Sequence, residues 1–281
     1  MNETYTLANG HTIPKLGFGT WELQAGDESY NAVRYALDAG FRHVDTAQAY
    51  QNEASVGQAL IDSGIDRESI FLTTKIWNDQ GAYMDALESI NASLQRLQTD
   101  YVDLLLIHWP NPVEFRGHPG FAQRNAELWQ AMEAAYASGR ARAIGISNFR
   151  PHHIDALEKI ATVAPMVNQI KLTPGLTHDE TVAASRAKNM LVEGYSPLGG
   201  GAVFDSRVIS DLAEKYGKTN AQIALRWSLD HDFLPLTRSR TREHIEANAQ
   251  VFDFHLDPAD IATLDKLEGM AGDINPDEAN F

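Results

Sequence analysis

Cysteine is absent from all 281 residues. That excludes thiolate nucleophiles, thiolate metal sites and disulfides, and it makes a reducing cytoplasm the expected compartment. No run of about 18 apolar residues occurs, so no segment reads as a membrane span. The opening MNETYTLANGHTIP lacks the basic start and apolar core of a secretory signal. Basic residues are scarce, and 23 Lys and Arg against 38 Asp and Glu give a formal charge of −15. Such a surface disfavours nucleic-acid backbones and anionic lipid as partners. An anionic ligand would need a local basic patch.

What is present is the composition of an ordinary globular protein, 43% hydrophobic and 22% charged. The length suits two domains of roughly 150 residues or one α/β barrel of about 250. No low-complexity stretch or linker divides the chain, so one domain over residues 1–281 is expected. Short apolar runs alternate with longer amphipathic ones. The apolar runs, read as strands, are Lys15–Gly19, Arg42–Thr46, Ile70–Lys75, Tyr101–His108, Ala143–Asn148, Met166–Lys171, Leu191–Ser196 and Phe233–Thr237. Their ends recur about every 31 residues, the length of one strand plus one helix.

The stretches between them are helical. Met84, Leu87, Ile90, Leu94 and Leu97 recur at spacings of three and four, one stripe of a helix. Gly40, Gly64, Gly139 and Gly217 follow the stretches Tyr30–Ala39, Glu53–Ser63, Glu127–Ser138 and Val208–Tyr216, where glycine accepts the left-handed conformation that closes a helix. Asp257-Pro258 reads as an N-cap and first-turn proline, opening a last helix that Gly269 ends. Asn9-Gly10, between Tyr5–Leu7 and His11–Ile13, favours a tight hairpin turn that would plug the bottom of a barrel. Repeated strand–helix units form either an open sheet or a closed barrel. An open dinucleotide-binding sheet is announced by G-x-G-x-x-G after its first strand, and LGFGTW continues into no such loop. The expected architecture is therefore an α/β fold, a (β/α)8 TIM barrel with an N-terminal β-hairpin, whose chemistry sits at the C-terminal ends of the strands.

Four polar residues stand at those ends: Asp45, Tyr50, Lys75 and His108. Taken singly, each has a structural explanation: helix cap, packing, solvated strand end and satisfied core histidine. Their placement together on three adjacent strands suits a particular chemistry. A phenol of pKa about 10 is a poor proton donor near neutrality, and an ammonium beside it favours the phenolate and makes it a better acid. A carboxylate would hold the ammonium, and a histidine would orient a substrate carbonyl. This set can protonate an oxygen while hydride reaches carbon. No side chain delivers hydride, so a nicotinamide or flavin is implied.

GFRHVDTAQAYQNEASVGQAL, FLTTK at Phe71–Lys75, LLLIHWP at Leu104–Pro110 and IGISNF at Ile144–Phe149 resemble the aldo-keto reductases, in order and over the whole chain to NPDEANF. The likeness is nearest to bacterial members of the 2,5-diketo-D-gluconate reductase type. The resemblance implies NADPH-dependent reduction of aldehyde or ketone carbonyls, 2,5-diketo-D-gluconate or a related keto compound among them, by a monomer. It implies that Tyr50 is the proton donor, tuned by Lys75 and Asp45, and that His108 positions the carbonyl. It gives Ser147, Asn148 and Gln169 to the nicotinamide carboxamide, Tyr195 to stacking on the ring, and Ser196, Leu198 and Gly200 to the pyrophosphate, with Thr20, Trp21 and Asp45 as further cofactor contacts.

The family's grip on the adenosine 2′-phosphate falls on TRSRTREHIEAN. There Arg238 stands in place of the usual lysine, Ser239 is kept, His244 stands where an arginine is expected, Ala247 replaces a glutamate and Asn248 is retained; Arg240 and Thr241 join the expected contacts. Arg238, Arg240 and Arg242 supply the local basic patch that the rest of the chain lacks. Histidine offers less to phosphate than arginine, so NADPH is the expected cofactor with NADH as a weaker alternative. Trp21, Trp77 and Trp109 each follow a strand end, and with Tyr50 and His108 they are the expected substrate contacts. In the loop from Asn111 to Asn125, Phe115, Arg116 and His118 are further candidates, and Arg116 is equally a surface residue.

Two other readings are open to the same residues. A barrel that binds NADPH without catalysis, as a redox sensor or regulatory subunit, would not need all four polar residues. A metal-dependent barrel hydrolase would need clustered His and Asp at the strand ends, where only His108 and Asp45 qualify, so no metal site is expected.

Overall fold

The computed structural model describes residues 3–77, 82–110 and 121–279. The loop candidates Phe115, Arg116 and His118 lie outside them. A hairpin of β1 (Thr4–Thr6) and β2 (Thr12–Pro14) precedes eight parallel strands. These are β3 (Gly17–Gly19), β4 (His43–Asp45), β5 (Phe71–Ile76), β6 (Leu104–Ile107), β7 (Ile144–Ser147), β8 (Val167–Lys171), β9 (Leu191–Tyr195) and β10 (Leu234–Thr237). They close in chain order, β10 pairing with β3. Around them run α1 (Asp27–Asp38), α2 (Glu53–Asp62), α3 (Tyr83–Leu97), α4 (Phe121–Ala137), α5 (Pro151–Glu158), α6 (Asp179–Ala187), α7 (Ala202–Asp205), α8 (Arg207–Tyr216), α9 (Asn220–Asp230), α10 (Arg242–Asn248) and α11 (Pro258–Asp265). All eight expected strands form, in a barrel. The rule of one helix per strand fails between β9 and β10, where α7, α8 and α9 intervene.

The period-two alternation of a strand decides which side chains enter the barrel. In β5, Leu72 and Ile76 join the outer core under the helices, and Thr74 bonds Glu53 of α2. Phe71, Thr73 and Lys75 therefore point inward. The same parity turns His43 and Asp45 of β4 inward and leaves Val44 outside. In β9 it turns Leu191, Glu193 and Tyr195 inward and leaves Val192 outside. The interior is apolar at its lower end, where Phe71, Leu104, Ala143, Val167 and Leu234 meet Leu7 and Ile13 of the hairpin. It is polar at the C-terminal end.

The hairpin does plug the bottom, tied by Asn9 Nδ2 to the Arg142 carbonyl at 2.9 Å. Its turn is one residue longer than a two-residue Asn-Gly turn. Leu7 N–H bonds the His11 carbonyl, and Gly10, at φ 87°, closes a three-residue loop. Gly40, Gly64, Gly139 and Gly217 all have positive φ, as expected of helix stops. Gly269 is also left-handed, yet α11 has already ended at Asp265. Asp257 stands at the N-cap of α11 without capping it, because its carboxylate is taken by Lys215 at 2.8 Å. The strand expected from Tyr101 begins only at Leu104. Asp103 Oδ2 accepts the Leu72 N–H at 2.9 Å and so enters the ladder with its side chain.

Candidate active site

The loops after β3 and β4 are locked together before any functional residue is placed. Asn52 donates to the carbonyls of Thr20 and Leu23 and accepts from Thr46 Oγ1, all within the protein and out of water. Gln48 is held by Ser89 and Ser93 of α3 and accepts the Trp77 N–H at 3.0 Å. Between them a single 3₁₀ turn, Gln48–Tyr50, carries Tyr50 to the mouth of the barrel.

There the expected four residues meet. Lys75 is fully buried, and its ammonium has three hydrogens to give. One goes to Asp45 Oδ1 at 2.5 Å, one to the Thr46 carbonyl at 3.0 Å and one to the Tyr50 hydroxyl at 3.3 Å. Since Tyr50 Oη accepts from Lys75, its own hydrogen is left for a partner in the cleft. Burial works against charge on Lys75, but Asp45 and Tyr50 outweigh it and raise its pKa. Burial likewise raises Asp45, and the ammonium opposes that rise.

Tyr50 departs from expectation. Desolvation at the base of the cleft pushes its phenol above 10, and the pull of Lys75 only partly offsets this. The phenol is thus protonated throughout the neutral range, and Lys75 serves to stabilise the phenolate left behind. His108 packs edge-on to Tyr50 and to Trp77, with ring centroids 5.6 and 5.2 Å apart. Burial, helped by the Lys75 charge, holds its pKa well below 6.5, so it is a neutral donor. Its Nδ1 is buried without a partner among the described residues, which leaves Nε2 as the ring atom toward the cleft.

The cleft itself measures about 2160 Å³. Trp21, Trp77 and Trp109 line it near Tyr50 and His108, and Trp21 is half exposed. Ser147, Asn148, Gln169 and Tyr195 form its next wall. Asn148 is pinned there, donating to the His108 carbonyl and Ser147 Oγ and accepting from Tyr195 Oη at 2.9 Å. Ser196, Leu198 and Gly200 continue the wall, and Gly200 and Gly201 have open space where a Cβ would lie. Arg238, Ser239, Arg240, Thr241, His244 and Asn248 complete it.

Three placements differ from what the sequence suggests. Thr20 is off the wall, its Oγ1 turned to the Asp45 carbonyl at 3.0 Å. Arg242 is outside the groove, paired with Glu246 at 2.8 Å and lying over the Tyr35 ring. The remaining patch is also not free, because Arg238 pairs with Glu22 and Arg240 with Glu28, at 3.0 and 2.8 Å. Sequence reasoning missed these carboxylates, and it missed Glu193, fully buried beneath Gln169. The signal for Glu193 was a lone acid inside the apolar run LVEGY. Among the described residues one close group of metal-type donors occurs, His152, His153 and Asp277, on α5 and the C-terminal segment; none of the three lines the cleft.

The model of the aldo/keto reductase family matches residues 15–268. The chain belongs to the aldo/keto reductase family. It is 38% identical to the glyoxal reductase of Bacillus subtilis, over 100% of this chain and 99% of that protein. It is also 38% identical to the methylglyoxal reductase DkgA of Escherichia coli, over 98% and 96% of the two chains. The crystal structure of a Bombyx mori aldo-keto reductase in complex with NADP is similar at a TM-score of 0.85 and 33% identity, covering 94% of this chain and 92% of that one. As a member of the family, the barrel is an oxidoreductase. No helix among the described residues is long and apolar enough to cross a membrane.

Proposed function

We propose that this aldo/keto reductase reduces small aldehydes and ketones, α-dicarbonyls among them, at the expense of NADPH. The observation that carries the reading is the spending of all three Lys75 hydrogens, the last on Tyr50, beside a neutral His108 at the wall of an aromatic cleft. A carbonyl oxygen bonded by Tyr50 Oη and His108 would be polarised toward alkoxide. Tyr50 then gives up its proton, and the Lys75 ammonium, held in place by Asp45, balances the phenolate.

When bound, NADPH supplies the hydride that reaches the carbonyl carbon. The residues present fit that group. Gln169 Nε2 donates to Asp45 and to Glu193, so its Oε1 is left as an acceptor toward the cleft. Gly200 and Gly201 leave room for phosphate to approach the backbone. Ser147, Asn148 and Tyr195 would flank the nicotinamide, Ser196 and Leu198 the pyrophosphate, and Arg238, Ser239, Arg240, Thr241, His244 and Asn248 the adenosine end. Support for the substrate class comes from relatives named glyoxal and methylglyoxal reductase. The absence of cysteine and the acidic surface suit a cytoplasmic monomer.

The test is NADPH consumption, followed by absorbance, with glyoxal, methylglyoxal, simple aldehydes and keto sugars. Turnover of an α-dicarbonyl with a product alcohol is expected. A protein that binds NADPH and turns over none of the panel would instead be the non-catalytic sensor.

A further inference from the structure

Glu193 is buried completely in the barrel, and nothing in the reaction uses it. It points inward from β9 by the same parity that places Tyr195 above it, and it shares a hydrogen-bonding partner with the active site. Gln169 Nε2 donates to Glu193 Oε2 at 2.6 Å and to Asp45 Oδ2 at 2.9 Å. An amide nitrogen has two hydrogens, and both are now spent. Turned over, the amide would put its oxygen against the Asp45 carboxylate, which has no hydrogen to give, so the orientation is fixed by chemistry. Among the described residues Gln169 Oε1 accepts no hydrogen bond, and Gln169 lies at the wall of the cleft.

We infer that Glu193 is a positioning residue for cofactor recognition. By taking the second Nε2 hydrogen it makes Gln169 an obligate acceptor, suited to the carboxamide N–H of a nicotinamide and not to a carbonyl in its place. The inference rests on the nicotinamide reading of the cleft. Without Glu193, Gln169 keeps one bond to Asp45, and its amide is no longer held in a single pose.

The charge count around Glu193 gives the role a second signature. The groups that face it are Gln169 from β8, His43 and Asp45 from β4, and Lys75 from β5 through Asp45. One ammonium faces two carboxyl groups, and His43 is no counterion, because burial and the Lys75 charge hold it neutral with a pKa of about 3. Burial and the Asp45 charge keep a proton on Glu193 up to about pH 8. That proton belongs on Oε1, which has no hydrogen-bond partner among the described residues and faces His43 Nε2 at 3.6 Å. Above that pH a second negative charge enters beside the Asp45–Lys75 pair.

The experiment compares binding of NADP⁺ with that of its 3-acetylpyridine analogue, in which a methyl group replaces the carboxamide nitrogen. Binary dissociation constants are read from tryptophan fluorescence, without turnover. The wild type should prefer NADP⁺, and Glu193→Leu should lower that preference about five- to tenfold, the worth of one hydrogen bond, by weakening NADP⁺ binding selectively. Glu193→Gln, which retains an acceptor oxygen, should restore the preference and abolish the change in NADP⁺ affinity that the wild type shows near pH 8. An unchanged preference in Glu193→Leu, or equal losses for both ligands, overturns the inference. Should the leucine variant fail to fold, an alkaline transition that persists in Glu193→Gln overturns it equally. Failure of the wild type to bind either dinucleotide would instead refute the nicotinamide reading.

Discussion

At the scale of the residue, the site is governed by how few donors Lys75 has and where they go. With one hydrogen on Asp45 and one on the Thr46 carbonyl, the third fixes Tyr50 Oη as an acceptor and frees its proton. Tyr50→Phe keeps the ring and removes that proton. General acid catalysis is worth about 10² to 10⁴ in rate, so kcat should fall at least a hundredfold while the Kd for NADPH hardly changes. A phenylalanine variant with half the wild-type kcat would take the role away from Tyr50. Lys75→Met acts on the same bond from below. It removes the charge that stabilises the phenolate and strands the buried Asp45 carboxylate. Turnover should be nearly abolished, and breaking a buried ion pair should cost about 3–5 kcal/mol in urea melts. Near-native activity and stability in that variant would show that the ammonium is dispensable.

At the scale of the element, the question is what α10 and the loop after β10 can grip. Arg238 and Arg240 line the cleft already paired with Glu22 and Glu28, so a 2′-phosphate would have to draw them from those carboxylates. His244 is exposed on the same wall, where an arginine would add a planar, permanently charged fork. His244→Arg should therefore raise the NADPH-to-NADH ratio of kcat/KM about five- to tenfold at pH 8, measured with one carbonyl substrate. An unchanged ratio would place the phosphate elsewhere. The strands that bear these loops were legible in sequence because each is a short apolar run, and alternation alone aims Asp45, Lys75 and His108 inward. The pairing of the arginines was not legible. Arg240 and Glu28 are 212 positions apart, and only the closed barrel brings β10 beside β3. Gly269 misled for a related reason: a left-handed glycine marks a turn, but not whether the helix has already ended.

At the scale of the molecule, a barrel that is apolar at one end and polar at the other carries its titration inside. Glu193 ionises near pH 8 when folded, because burial disfavours its charge, and at the ordinary 4.5 when unfolded. Between those values the folded protein holds the extra proton, so stability falls as pH rises through that window. His43 has the opposite sign. Burial lowers its pKa to about 3 from 6.5, so the unfolded chain takes up the extra proton and stability falls as pH drops below 6.5. His108, lowered in the same direction by burial, adds to the acid limb. The two limbs together predict greatest stability in mildly acidic solution, despite a formal charge of −15 that by itself places no optimum there. Glu193→Gln should remove the alkaline limb, raise Tm at pH 8 and leave the acid limb in place. The gain at pH 8 is on the order of a few kcal/mol, the cost of ionising a carboxyl group in the barrel. Thermal melts from pH 4 to 9 check this. A wild-type Tm that does not fall between pH 6 and 8, or a variant that falls in parallel with it, would mean that Glu193 is ionised in the folded barrel with a partner that these contacts do not provide.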